Sequence, residues 1–188
     1  MPGLVEHLER HLGAIDVGWT RGADGAALPF SVVRFAKGSG PGTVAFCTLG
    51  LSRHALRSRT SDRSIRHELL MLVPESLRDG PVPGILQQVG SDALGAHTAL
   101  LRGDVLGPRG PLLPGSELEA LYVAIPVYLP EEFAGFEENG QRGVVAWLVP
   151  ISAREAGYVA DHGWESFEDR LVEADPDLTD PGRPSLPL

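Results

Sequence analysis

The chain has 188 residues, of which 43% are hydrophobic, enough for one domain with a sizeable buried core. Its formal net charge of −9 at pH 7 argues against non-specific binding to nucleic acid or to anionic membranes. Cys47 is the single cysteine, which excludes an internal disulfide framework and a multi-thiolate zinc site.

The N-terminal half predicts one helix followed by several strands. Leu4, Leu8 and Leu12 follow helical spacing, and Gly13 ends the helix. Residues 19–30 are rich in turn-forming residues. Apolar runs predict strands at residues 31–36, 43–49 and 65–73. The first two are joined by a hairpin loop, and the polar, arginine-rich segment 52–64 is expected to be an exposed loop.

The middle of the chain is less regular. A helix is predicted from Ile85 to Leu94. Residues 103–115 are rich in glycine and proline, which predicts either a long ordered loop or a short-strand excursion. Residues 118–129 are apolar enough for a strand, although Pro126 favours an edge or a bulge there. Residues 131–143 are expected to form a polar connection into a buried strand over residues 143–149.

The C-terminal part has the clearest local signals. Pro150 is predicted to end the buried strand because proline has no N–H for the ladder. Ser152 and Glu155 stand three residues apart, which indicates a capping box at the start of a helix. Gly163 can end this helix, and apolar spacing from Trp164 predicts one more.

Together, about five strands joined mainly by turns and three or four helices predict an α+β fold with a mixed, largely antiparallel sheet. We expect one domain over residues 1–174 and a proline-rich, mobile tail over residues 175–188. No apolar run approaches the ~20 residues of a transmembrane helix, and no secretory signal is evident. These observations predict a cytoplasmic protein that does not bind membranes.

Three segments, taken in order, resemble one known family. The strand 43–49 runs into a T-L-G-L-S turn ending at Ser52, and an H-E-L-L core begins at His67. A P-I-S-x-x-E sequence begins at Pro150, and an H-G pair follows at His162. This order is similar to that of the suppressor-of-fused domain family, across most of residues 42–172. The resemblance implies a mixed α/β domain that binds other proteins, with no catalytic motif. The resemblance to bacterial single-domain members of the family further implies an immunity protein that acts against a polymorphic toxin.

Catalytic arrangements can be written from the sequence, but none is well supported. Ser52, His54 and Asp62 could form a triad, yet no G-x-S-x-G nucleophile elbow is present. His67 and Glu68 are neighbours on a strand and therefore point to opposite faces. Asp161 and His162 lie at the end of a helix.

Metal and cofactor sites are also unsupported. His7 and His11 are four residues apart on a helix, but the sequence indicates no third ligand. The glycine-rich segment 37–43 has its lysine first and leads into a strand, which favours a hairpin turn over a phosphate loop. Cys47, in an apolar strand, is expected to be buried and inert. We predict no cofactor and no metal.

Charge patterning supplies the candidate binding residues. A cationic segment contains Arg53, Arg57, Arg59, Arg63 and Arg66, with Asp62 as its one acid. The segment is either a solvated loop or a docking surface for an acidic partner. The second alternative follows because guanidinium groups pair with carboxylates. An acidic region begins with Glu165, Glu168 and Asp169 and could steer a basic partner by raising its rate of encounter. Trp19, in the turn-rich region, is a candidate interface anchor.

The favoured hypothesis is a non-enzymatic binding protein, an immunity protein that masks a basic toxin by steric and electrostatic complementarity. The alternatives are a regulatory scaffold for another cellular protein, or a hydrolase that uses Ser52, His54 or His67. The sequence leaves the identity of the partner and the oligomeric state open.

Overall fold

The computed structural model describes residues 3–188, which contain four helices and ten strands. The helices are α1 (Leu4–Leu12), α2 (Val82–Ala96), α3 (Ala153–His162) and α4 (Trp164–Ala174). The strands are β1 (Ile15–Arg21), β2 (Ala27–Phe35), β3 (Thr43–Leu49), β4 (Leu56–Arg57), β5 (Ser64–Ile65), β6 (His67–Pro74), β7 (Val105–Leu106), β8 (Ala120–Ala124), β9 (Gly135–Glu138) and β10 (Gln141–Ile151).

Eight of the strands form one sheet in the order β1-β2-β3-β6-β10-β8-β7, with β9 pairing with β10 beside this path. β6 and β10 run parallel, and every other pair of these strands within residues 3–188 is antiparallel. β4 and β5 form a separate two-stranded hairpin. The prediction of an α+β fold with a mixed, largely antiparallel sheet is therefore confirmed.

Helices cover both faces of the sheet, which explains why the central strands are largely apolar. In β6, Leu70 and Leu72 face the cluster that includes α1, α3 and α4. The alternating residues Leu69, Met71 and Val73 face the cluster that includes α2. Because strand side chains alternate, a strand buried on both faces has no position that tolerates a polar side chain without a partner.

Segments predicted to be irregular contain strands. The end of β1 and the start of β2 lie within residues 19–30, the region expected to be turns. β1 is an edge strand in which the half-buried residues Ile15, Val17 and Trp19 alternate with exposed ones. Residues 131–143 contain a short 3-10 helix, β9 and the start of β10. Asn139 and Gly140 join these strands, both with positive φ (52° and 73°), as a tight hairpin turn requires.

The capping box at the start of α3 is confirmed. Ser152 Oγ accepts from the Glu155 N–H at 3.1 Å, and Glu155 Oε2 accepts from the Ser152 N–H at 2.8 Å. The strand before it continues one residue beyond the predicted stop at Pro150, to Ile151. Pairing with β6 ends at Trp147, so Pro150 occupies a part of β10 with one strand neighbour, where a missing N–H is tolerated.

The C-terminal segment, for which the sequence predicts a mobile tail, packs against the core in the structure. Residues 176–188 have no helix or strand, but Leu178, Arg183 and Leu186 are buried. The two leucines join the core cluster on the α1, α3 and α4 face of the sheet. The segment is packed because its few apolar residues reach the core and because Arg183 pairs with a buried carboxylate on α3.

Gly90 provides a test of the packing between α2 and the sheet. An alanine Cβ there would lie 2.5 Å from Cζ of Phe30, closer than atoms can pack. We expect Gly90→Ala to lower the free energy of unfolding by about 1–3 kcal/mol despite the better helix propensity of alanine. Gly95→Ala, also on α2 but with no atom within 4 Å of the new Cβ, is the matched control. It should raise stability by about 0.5–1 kcal/mol, and urea unfolding of both variants checks the difference.

Candidate functional site

Glu68 connects two of the segments singled out in the sequence. Its carboxylate is fully buried and accepts hydrogen bonds from Thr48 Oγ1 at 2.5 Å and from Ser52 Oγ at 2.7 Å. It also accepts from the backbone N–H groups of Gly50 and Ser52, at 2.9 and 3.1 Å. Burial raises the pKa of Glu68, and the two hydroxyl groups oppose part of that rise. The T-L-G-L-S turn thus closes around one side chain of β6.

The turn itself depends on a glycine. Gly50 has φ of 96°, which places it in the left-handed region, and it precedes a short 3-10 helix over Leu51–Arg53. This geometry directs consecutive N–H groups toward Glu68. The sequence motif is therefore a structural device that holds the start of the cationic segment.

His67, the neighbour of Glu68, is buried on the opposite face of β6. Its Nε2 accepts a hydrogen bond from the Leu100 N–H at 3.1 Å. Burial lowers the pKa of His67, so its imidazole stays neutral near pH 7. The prediction that His67 and Glu68 cannot act on one atom agrees with this arrangement, and each side chain supports a different loop.

The hypothetical hydrolase residues are not brought together as a triad. Ser52 Oγ is buried and donates its hydrogen to Glu68. His54 and Asp62 are exposed, and neither hydrogen-bonds to Ser52 within residues 3–188. Cys47 is buried, and burial raises its pKa well above the usual range, which disfavours the reactive thiolate.

The two N-terminal histidines pack against each other and against Phe133. His7 Nε2 lies 3.1 Å from the Phe133 carbonyl oxygen, to which it donates, and the His7 and His11 ring centroids are 5.6 Å apart. Burial, followed by the neighbouring His7, lowers the pKa of His11. No group of three or more metal-ligating side chains comes together in the described part of the chain.

The cationic segment is displayed on the β4–β5 hairpin and the 3-10 turn before it. Arg53, Arg57, Arg59 and Arg63 are all exposed. Arg59 pairs with Asp104, whereas the other three form no ion pair with residues 3–188. Arg66 is half-buried and donates to the carbonyl oxygens of Ser52 and Arg53, so it holds the segment in place.

The three predicted acidic residues on α4 have different environments. Glu165 and Asp169 are exposed, but Glu168 is half-buried and accepts from Arg102 Nε at 3.0 Å and from Tyr122 Oη at 2.8 Å. Burial, together with this carboxylate, raises the pKa of Tyr122. The Arg102 guanidinium carbon also lies 4.7 Å from the Trp164 ring centroid. Glu168 therefore belongs to an internal network, and Glu165 and Asp169 remain as the acids available to a partner.

Trp19 lies half-buried on β1, where its ring packs 6.0 Å from that of Phe46. It joins the core cluster on the α2 side of the sheet, so part of the ring supports the fold and part faces solvent. On the same side, an apolar cleft of about 520 Å³ separates α2 from the 98–121 segment.

Two features were not predicted from the sequence. The first is the buried ion pair of Glu155 with Arg183, with Arg183 Nη1 2.7 Å from Oε1 and Nη2 2.9 Å from Oε2. No local pattern links residues 28 positions apart. The second is a group of exposed apolar side chains at residues 125, 127, 128 and 172, and the fold places the first three beside residue 172 along one groove.

Comparison with known proteins identifies the family. The model of the family described as suppressor of fused protein matches residues 27–184. A protein from Neisseria gonorrhoeae FA 1090, described as a suppressor of fused homolog, is 19% identical with a TM-score of 0.72, over 95% of this chain and 92% of its own. The Sufu-Fu complex structure contains a chain that is 16% identical with a TM-score of 0.72, over 97% of this chain and 90% of its own.

Drosophila Suppressor of Fused is 17% identical with a TM-score of 0.63, over 84% of this chain and 43% of the Drosophila chain. No curated protein sequence matches significantly. No helix within residues 3–188 has both the length and the apolar character that crossing a membrane demands. The family model covers most of the chain, and the solved structures share its fold over 84–97% of its length. This chain belongs to the suppressor of fused family.

Proposed function

We propose that this chain is a non-enzymatic protein-binding domain that acts by covering a surface of its partner. The observation that carries the proposal is the match to the family, whose fold occurs in the Sufu-Fu complex, a protein–protein complex. The internal hydrogen bonds of Ser52, His67 and Glu68 add support, because they give the motif residues structural tasks.

The finer proposal is that the partner is a toxin domain and that the chain is an immunity protein. It rests on the resemblance to bacterial single-domain members of the family, and the Neisseria homolog has a similar extent. A net charge of −9 would favour a basic partner, since opposite charges raise the rate of encounter. Glu165 and Asp169 supply exposed negative charge on α4.

A second surface is proposed at the cationic segment. Arg53, Arg57 and Arg63 are exposed, without ion pairs to residues 3–188, and are suited to carboxylates on a partner. Trp19 is proposed as an anchor at the edge of the sheet, where its exposed part could be buried by a partner.

The charge on α4 can be tested by association kinetics. We expect Glu165→Lys with Asp169→Lys to slow association with a basic partner domain by about tenfold at low salt, with a smaller effect at high salt. The matched control is Glu6→Lys with Glu117→Lys, which changes net charge equally at two exposed sites outside α4. Stopped-flow measurement distinguishes the two, and equal rates for both double variants would contradict steering by α4.

The partner is identified by capture of the tagged protein from its native cells at low salt, followed by mass spectrometry. A stoichiometric toxin domain supports the immunity proposal. A single partner of another kind favours the regulatory scaffold. If the protein is captured alone from cells that express its neighbouring genes, protein binding is contradicted and the hydrolase hypothesis should be tested.

A further inference from the structure

Four exposed hydrophobic side chains lie together at one end of the sheet. Within residues 3–188, six large hydrophobic residues are exposed, and Ile125, Val127, Tyr128 and Val172 are four of them. These four line an apolar groove of about 170 Å³ between the segment after β8 and the last turns of α4. Val127 and Val172 are 68% and 81% exposed. A single exposed valine is common, but several exposed apolar side chains on one surface are typical of a binding site.

The apolar groove is held in place by the core. Tyr128 Oη donates to the Pro176 carbonyl oxygen at 3.0 Å and accepts from the Leu178 N–H at 3.1 Å. The Tyr128 ring also packs 5.0 Å from the ring of Trp147, which is fully buried. A preformed surface needs little ordering when a partner binds, so more of the contact free energy contributes to affinity.

Two acidic residues lie beside the apolar groove. On α4, Asp169 lies one helical turn before Val172, and Asp175 is the C-cap residue that ends the helix. Neither forms an ion pair with residues 3–188, and Asp175 lines the apolar groove directly. Arg102 is the basic residue that lines it, and Arg102 is already paired with Glu168. The apolar groove therefore has an apolar centre and a negatively charged rim.

We propose that the apolar groove binds a cationic amphipathic segment of a partner protein. Its apolar side chains would contact Val127, Tyr128 and Val172, and its Lys or Arg residues would face Asp169 and Asp175. A second copy of this chain fits less well, because a symmetric contact through the apolar groove would bring two acidic α4 helices together. The inference rests on the proposed protein-binding function and names the surface and the chemistry of the partner segment.

The test uses the purified full chain and a fluorescent model peptide of about 18 residues, an amphipathic helix of Leu and Lys. We expect Val127→Ser with Val172→Ser to weaken binding of this peptide by about tenfold, measured by fluorescence anisotropy. Val5→Ser with Val144→Ser is the matched control, since both valines are exposed outside the apolar groove. Asp169→Asn with Asp175→Asn should weaken binding several-fold and flatten its dependence on salt.

The proposal is overturned if the Val127/Val172 variant binds the peptide as tightly as the control variant does. It is also overturned if a peptide with Glu in place of Lys binds equally well. Sedimentation of the chain alone tests whether a second copy of the chain binds the apolar groove. A dimer that the Val127/Val172 variant no longer forms would show that the second copy is the occupant and would overturn the proposal. Capture of the native partner separates the two proposals. A partner retained equally by wild type and variant contradicts the role of the groove but leaves protein binding intact, whereas no partner for either contradicts protein binding.

Discussion

Replacement of Glu68 by alanine is expected to lower the free energy of unfolding by about 3–5 kcal/mol. The cost arises because the Thr48 hydroxyl and the N–H groups of Gly50 and Ser52 would lose their acceptor in a buried site. Each buried donor without a partner costs about 1–3 kcal/mol, and water entering the space would recover part of it. Chemical unfolding followed by circular dichroism measures the loss.

Two further variants separate the hydrogen bonds from the charge. Glu68→Gln keeps an acceptor for Gly50 and Ser52, so it should cost about half as much as alanine. Because the folded pKa of Glu68 is raised, its contribution is fully present below the unfolded pKa and is lost as pH rises through the folded pKa. The stability of wild type relative to Glu68→Gln should therefore decline as pH rises from about 4.5. An alanine variant as stable as wild type would contradict the structural role of Glu68.

The fold class could be predicted because its signals are local. Apolar runs mark the strands buried on both faces, and Ser152 with Glu155 marks the start of α3 by direct hydrogen bonds. The edge strand β1 was missed because it has no continuous apolar run, although Ile15, Val17 and Trp19 alternate with polar or small residues as in a half-buried strand. The β9–β10 hairpin was missed although Asn139-Gly140 is a strong turn signal, because β9 is short and the first residues of β10 are polar.

The candidate site was predicted less completely because its parts are distant in sequence. The charge pattern along the chain groups Glu165, Glu168 and Asp169. It does not show that Arg102 and Tyr122 hydrogen-bond to Glu168. Likewise, Val127 and Val172 are 45 residues apart (172 minus 127), and each is unremarkable alone. The tail was predicted to be mobile from its four prolines, yet one arginine and two leucines secure it. Tertiary pairing decided each of these points.

Arg183→Ala is expected to be the most damaging substitution in the C-terminal segment. Arg183 and Glu155 form a two-point ion pair, and their side chains are 3% and 0% exposed. Removing one partner of a buried pair leaves an uncompensated charge and costs about 3–5 kcal/mol. Because Arg183 also donates to the Pro150 carbonyl oxygen, the variant should release residues 176–188 from the sheet, which limited proteolysis can detect.

Arg154→Ala is the matched control, since Arg154 is exposed and donates to the Leu188 carbonyl oxygen in the same segment. Its effect should stay below about 0.5 kcal/mol. The pH dependence identifies the ion pair: burial alone would raise the pKa of Glu155, but Arg183 and the Ser152 N–H lower it below its usual range. A carboxylate with a depressed pKa contributes stability above its unfolded pKa, near 4.5, and loses it as pH falls through the folded pKa. Arg183→Ala should abolish this loss of stability in acid, while Arg154→Ala should retain it. The stability contribution of Glu68 has the opposite pH dependence, so the two buried carboxylates can be distinguished in one pH series.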